Sequence, residues 1–269
     1  MEFAYGMAFL ILFSASALAG LALRHRLPDE HFSKENMEAV RLVTSLLVTF
    51  AALILSLQLS NARSSFDTAN SDRSTYAARL AGLDQCLRDL GNSLNSARLE
   101  LRQYTAAVIA STWPNEDRPK VEGMPDTTHM ALRGENPALS KLFDEVGMAL
   151  ASYSPSGVRD SAVSKRCQAS FDMAQQARWA VIEDIHARSG IFFIIIIAFW
   201  LSLVFLSFGL QIPAKRLTAV VLAIGVVSIS SVMFVIVDLD LPYRGLFSIS
   251  SASMREALKD MESSGPGSQ

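Results

Sequence analysis

The sequence predicts an all-α integral membrane protein. Four transmembrane helices are expected, with long helical extensions forming a coiled-coil-like extramembrane bundle between spans 2 and 3. Three observations carry this. Half of the 269 residues are apolar and the mean hydropathy is +0.27, above the range usual for soluble domains. Four segments of about twenty apolar residues are each long enough to cross a bilayer core of roughly 30 Å at 1.5 Å per residue. Between the second and third lies a polar region with a sustained heptad seam. The expected division is 1–60 for spans 1 and 2, 61–189 for the extramembrane helical domain, 190–237 for spans 3 and 4, and 238–269 for an interfacial motif and tail.

Composition narrows the function classes. A formal charge of −2 points to no nucleic-acid partner. Cys86 and Cys167 are too far apart for a CxxC pair. The histidines His25, His31, His129 and His186 show no metal-ligand spacing, and no Gly-rich phosphate loop occurs. No metal, cofactor or enzymatic site is expected. The carboxylates Asp238 and Asp240 are the one pair with catalytic potential, and no nucleophile or base accompanies them.

Phe3–Leu23 is the first span. Glu2 precedes it and Arg24-His25-Arg26 follows it, the flank of a retained helix with a cytoplasmic far end rather than of a signal peptide. Leu27–Glu38 is a mixed-charge loop broken by Pro28, in which Lys34 and Glu35 read as solvated. Ala39–Leu59 is the second span and the most informative stretch. Arg41, Ser45, Thr49, Ala52, Ser56, Ser60 and Arg63 recur at steps of three and four, which keep one helix face. One side is therefore small and hydroxylated with an arginine at each end, and the other is Leu, Val, Ile and Phe. Two readings stay open: close helix packing through small residues, or a polar path for an anion.

From Tyr76 the seam Leu80, Leu83, Leu87, Leu90, Leu94, Ala97, Leu101, Tyr104 and Val108 alternates steps of four and three. No proline intervenes between Arg63 and Trp113, so the second span is expected to continue as one rod, with Gly91-Asn92 as a candidate kink. The seam is equally compatible with packing inside one chain or between chains. Trp113-Pro114 ends the rod. Pro114–Pro137 is loop, punctuated by Pro119, Gly123, Pro125 and Gly134. A helix over Ala138–Tyr153, a turn at Ser154–Gly157 and a long helix from Val158 follow, the last without a breaker until Gly190. Gly190–Leu210 and Leu217–Val237 are spans 3 and 4, joined by a tight link with Pro213, Lys215 and Arg216. Ser250–Met261 reads as an amphipathic helix through Leu258 and Met261, and the tail after it as disordered.

Arg24, Arg26, Lys34, Lys215 and Arg216 place both short loops in the cytoplasm and the helical domain outside. Arg244, Arg255 and Lys259 pull the other way. Cys86 lies about 25 residues after Asn61, and Cys167 about 23 before Gly190, so on antiparallel helices both stand at roughly 35 Å. They either bridge, as an oxidising compartment allows, or are ordinary semi-buried residues. Asp238 and Asp240 would face one side if the chain were extended before Pro242, where they could hold a hard cation. The alternative is structural, with the carboxylates paired to Arg244 or another arginine.

The layout resembles the bacterial bestrophin-like membrane proteins over nearly the whole chain. The end of the fourth span looks like the family's Leu-Asp-x-Pro-Phe-x-Gly signature, here Leu239, Asp240, Pro242 and Gly245, with Tyr243 replacing Phe and Arg255 further on. Tyr104 and Trp113 match a second piece, with Thr112 where the family usually has Glu. The resemblance implies a multi-pass protein of the bacterial inner membrane, kinship to oligomeric anion channels, and as partners the lipid bilayer, inorganic anions such as chloride and further copies of the chain. The acidic calcium clasp of animal bestrophins is not evident, so calcium gating is not implied. The function expected first is an oligomeric anion channel lined by Arg41, Ser45, Thr49, Ser56, Ser60 and Arg63. The alternative is a membrane-anchored sensor or scaffold whose output lies in a separate partner.

Overall fold

The computed structural model describes residues 2–28, 32–128, 130, 136–186, 191–211, 216–241, 243 and 245–263. His31, His129, Gly134, Gly190, Pro213, Lys215, Pro242, Arg244 and the tail 264–269 lie outside the described residues. Eight α-helices occur among the described residues: α1 Glu2–Arg26, α2 Lys34–Asp89, α3 Asn95–Thr112, α4 Pro137–Ala151, α5 Val158–His186, α6 Ile191–Gln211, α7 Arg216–Leu239 and α8 Ala252–Ser263. The chain divides into two compact units, 1–67 with 188–248, and 68–187 with 249–269. Helix α2 contributes its first part to one and its last part to the other.

The first unit holds four helices long and apolar enough to cross a membrane: α1, the first part of α2, α6 and α7. Its core is made by Phe9, Phe13 and Ala17 of α1, Ala51, Leu55 and Ala62 of α2, Leu201 and Phe205 of α6, and Met233 and Ile236 of α7. The Phe13 and Phe205 rings lie 5.3 Å apart. Below them α1 and α6 touch backbone to backbone. A Cβ on Gly20 would sit 2.1 Å from the Leu206 carbonyl oxygen, and one on Gly209 2.2 Å from that of Ala17. Two glycines, one on each helix, thus set the helix separation, as small residues do where lipid supplies no hydrophobic drive.

The second unit corrects the expectation of a single rod. Helix α2 stops at Asp89, Gly91 takes φ +87°, and a 3-10 turn over Asn92–Leu94 leads into α3. Only glycine adopts that backbone without strain. The chain reverses there. Arg98 donates through Nε and an Nη to the two oxygens of Asp84, at 3.1 and 3.0 Å, and Tyr76 meets Tyr104 hydroxyl to hydroxyl. The partners step apart on either side of Gly91, so α3 runs antiparallel to the end of α2. All ten seam residues from Tyr76 to Val108 are buried, and the contacts of this hairpin lie within one chain.

The second half of α3 is buried all round, from Tyr104 to Ala110, because Ala106, Ala107 and Ala110 leave room for neighbours on every side. Phe143 of α4 packs 5.1 Å from Tyr104 and 4.9 Å from Phe171 of α5. Asn136 caps α4 through the Ala138 amide, with Pro137 in the first turn. Helix α8 closes over α3 with Met254, Ala257, Leu258 and Met261. Helix α3 ends at the residue before Trp113-Pro114, where the proline requires it.

Gly20→Ala should lower stability by about 1–3 kcal/mol, because the added methyl has backbone as its neighbour. Arg98→Ala should cost about 3 kcal/mol by leaving the buried Asp84 only its longer contact with Arg102, at 3.9 Å, whereas the double replacement Asp84→Leu with Arg98→Met should restore most of it. Chemical denaturation of the purified protein in detergent reads both.

Candidate functional site

The second span presents three strips. Thr44, Ala51, Leu55 and Ala62 are buried in the first unit, while Arg41, Ser45, Thr49, Ala52, Ser56, Ser60 and Arg63 are all exposed. At 3.6 residues per turn the hydroxyl strip is centred about 110° from the buried one. Leu42, Leu46, Leu53 and Leu57 occupy the remaining face. The polar strip is therefore not consumed by packing within the first unit. Thr49 donates to the Ser45 carbonyl at 2.9 Å and Ser56 to that of Leu53 at 2.8 Å, so both protons rest on the helix's own backbone. A rotation about χ1 turns them outward. Arg63 is ion-paired with Asp67 at 2.9 Å, both groups exposed. Near the start of the strip, Gln211 of α6 donates to the Thr44 hydroxyl at 2.7 Å. Arg24 of α1 donates to the Leu210 carbonyl at 2.9 Å, which caps the α6 C-terminus with a cation.

The end of α7 has a different chemistry from the paired-carboxylate expectation. The helix persists through Leu239, so Asp238 and Asp240 do not share a side as they would on a strand. The buried Asp238 accepts the Leu246 amide at 3.0 Å on Oδ1 and the Phe247 amide at 2.9 Å on Oδ2. A Cβ on Gly245 would lie 2.9 Å from the same carboxylate, so this turn admits only glycine without displacement. Of the signature residues, Gly245 is thus tied to Asp238. Asp240 stands apart, half-buried, and burial pushes its carboxyl above the usual range. Among the described residues no cluster of three or more His, Cys, Asp or Glu could hold a metal ion.

In the second unit a polar group gathers that the residue types had concealed. Arg73 of α2 is 2% exposed and Arg178 of α5 is 5% exposed. The Arg73 guanidinium lies 5.1 Å from the Trp113 ring centre, and that of Arg178 5.5 Å from Phe143. Arg178 also donates to the Ser140 hydroxyl at 2.6 Å. Burial, reinforced by the Tyr104 hydroxyl, holds the Tyr76 phenol well above its usual pKa. Burial raises that of Tyr104 as well, against the two arginines. Asp184 is also raised, by burial and then by Asp72, against the pull of Arg73. The signal for these arginines was periodicity. Ala62, Phe66, Ala69, Arg73 and Tyr76 carry the seam backwards at steps of four and three, and Arg178 stands in step with Cys167, Phe171, Ala174 and Val181.

Cys86 and Cys167 are joined, with Cα atoms 5.5 Å apart and a sequence separation of 81, pinning α5 to the hairpin. The Arg166–Asp89 pair at 2.7 Å lies beside them in sequence on both helices. Trp113 donates its indole N–H to the Ile249 carbonyl at 2.8 Å. Arg255 of α8 reaches Glu116 at 3.0 Å and the Asp117 carbonyl at 2.7 Å. Trp113 and Arg255, singled out by sequence, thus both tie the C-terminal segment to the loop after α3.

A family model described as the Bestrophin-like domain matches residues 11–254. Searches of curated proteins and of solved structures each return no match. A match over nearly the whole length, on an all-helical chain with four span-length apolar helices, shows that this protein belongs to the Bestrophin-like domain family.

Proposed function

We propose that the protein is an oligomeric anion channel in which the hydroxyl strip of α2 faces an axis shared by several copies. The observation that carries this is the exposure of the whole strip, Arg41, Ser45, Thr49, Ala52, Ser56, Ser60 and Arg63, beside a buried apolar strip on the same helix. A polar face left over on a spanning helix belongs against water or protein rather than lipid. Hydroxyl donors and cationic ends favour chloride or a similar anion. The two arginines are not equal, because Asp67 compensates Arg63. The seam from Tyr76 to Val108 makes a folded-back, coiled-coil-like bundle within each copy.

The orientation follows the charges and the thiols. Arg24 and Arg26 end α1, Lys34 opens α2 and Arg216 opens α7, which favours the cytoplasm for that end of the spans. The buried Cys86–Cys167 bond fits an oxidising compartment for the second unit, outside a bacterial inner membrane.

Purified protein in planar bilayers should carry chloride current, and silence from a pure oligomer rejects the channel. That result together with a stoichiometric cytoplasmic partner would favour a sensor or scaffold. Reversing one charge at about 8 Å from an ion in water shifts its energy by about 1 kcal/mol, roughly sixfold in occupancy for each subunit. Arg41→Glu should therefore lower anion selectivity severalfold, and Arg63→Glu less. A maleimide–polyethylene glycol reagent should shift neither cysteine in membranes denatured without reductant and both after reduction. Cys86→Ser with Cys167→Ser should cost about 4.5 kcal/mol by loop entropy over 81 residues.

A further inference from the structure

The carboxylate at the end of α7 does more than terminate a helix. Its two oxygens take the amides of two consecutive residues, Leu246 and Phe247. The side chains of those residues are 64% and 46% exposed. They follow by seven and eight residues the end of α7, a span-length helix whose first half exposes Leu217, Val220, Val221, Ile224 and Val227. In water an unpaired loop amide has solvent as a partner. At the hydrocarbon boundary an unpaired N–H is costly, and Asp238 removes that cost from the two residues whose side chains are apolar. Gly245 lets the turn close on the carboxylate.

We infer that Leu246 and Phe247 are a membrane anchor, held by the Asp238 clasp and seated at the headgroup–acyl boundary of the leaflet where α7 emerges. The occupant of this surface is lipid. A clasped loop with a paired backbone and two apolar side chains is the non-helical counterpart of an interfacial amphipathic helix. The anchor fixes the depth of the α7 end, whatever the spans conduct.

The chain lends itself to a direct test, since both of its cysteines are in the disulfide and Phe247→Cys offers one thiol. With an NBD label there, the full chain is reconstituted into phosphatidylcholine–phosphatidylglycerol liposomes. Emission should be blue-shifted from that of NBD-glutathione in buffer. Quenching by a lipid nitroxide near the headgroup should exceed that by one near the chain terminus at least about twofold, with little effect of iodide. Emission at the buffer value with iodide quenching overturns the anchor. So does a blue shift without nitroxide quenching, which would mean coverage by another copy. In the same labelled background, Asp238→Asn should weaken the shallow quenching and admit iodide, and an unchanged profile removes the clasp from the explanation. The label reads depth whether or not current flows, so its failure is distinct from failure of the channel.

Discussion

The reversal at Gly91 governs what the second unit can be. A heptad seam of ten residues is a generic adhesive: continued as a straight rod, it would present its whole length to another chain. Folded at a glycine with φ +87°, it closes on itself instead. Leu80, Leu83 and Leu87 on one side of the bend and Leu94, Ala97 and Leu101 on the other are all buried. The Asp84–Arg98 pair sets the register, since two nitrogens on two oxygens tolerate little sliding. Buried charge pairs add little net stability and penalise every misalignment that separates them. The seam is therefore used inside the chain, and an oligomer of the kind proposed would draw on other faces, such as the exposed hydroxyl strip of α2.

Much of the fold was legible in the sequence, and the parts that were not share a physical origin. The spans, the stop at Trp113-Pro114 and the apolar stripe of α8 follow from patterns repeated over many residues. The reversal rests on one backbone conformation at one glycine, against a seam that continues in phase across it, so periodicity favoured the straight rod. The contact of Gly20 with α6 left no pattern either. A glycine in an apolar run looks the same whether it faces lipid or another backbone. Arg73, Arg98 and Arg178 are buried although charged side chains ordinarily stay in water, and Arg73 and Arg178 keep step with buried neighbours. Their aliphatic stems pack like any core side chain, and aromatic rings, hydroxyls or a carboxylate receive the charge. At the end of α7 the signature drew attention to Asp240, yet the amides sit on Asp238, because which carboxylate faces the returning loop depends on how far the helix runs.

The hydroxyl strip raises a question of magnitude. Thr49 and Ser56 satisfy their own protons on backbone carbonyls, and interhelical hydrogen bonds in membranes are worth only about 0.6 kcal/mol on average. Hydroxyls alone therefore give only a weak drive toward any axis. The arginine is different. Arg41, just inside the start of the span, carries a charge that can snorkel to the interface from a lone helix. Several such helices brought together would repel one another unless water or an anion stood between them. Assembly of α2 around a dry axis is thus disfavoured by its ends, and assembly around a wet one is tolerated along its length. That asymmetry, more than the count of serines, supports the proposal that the strip lines an aqueous path.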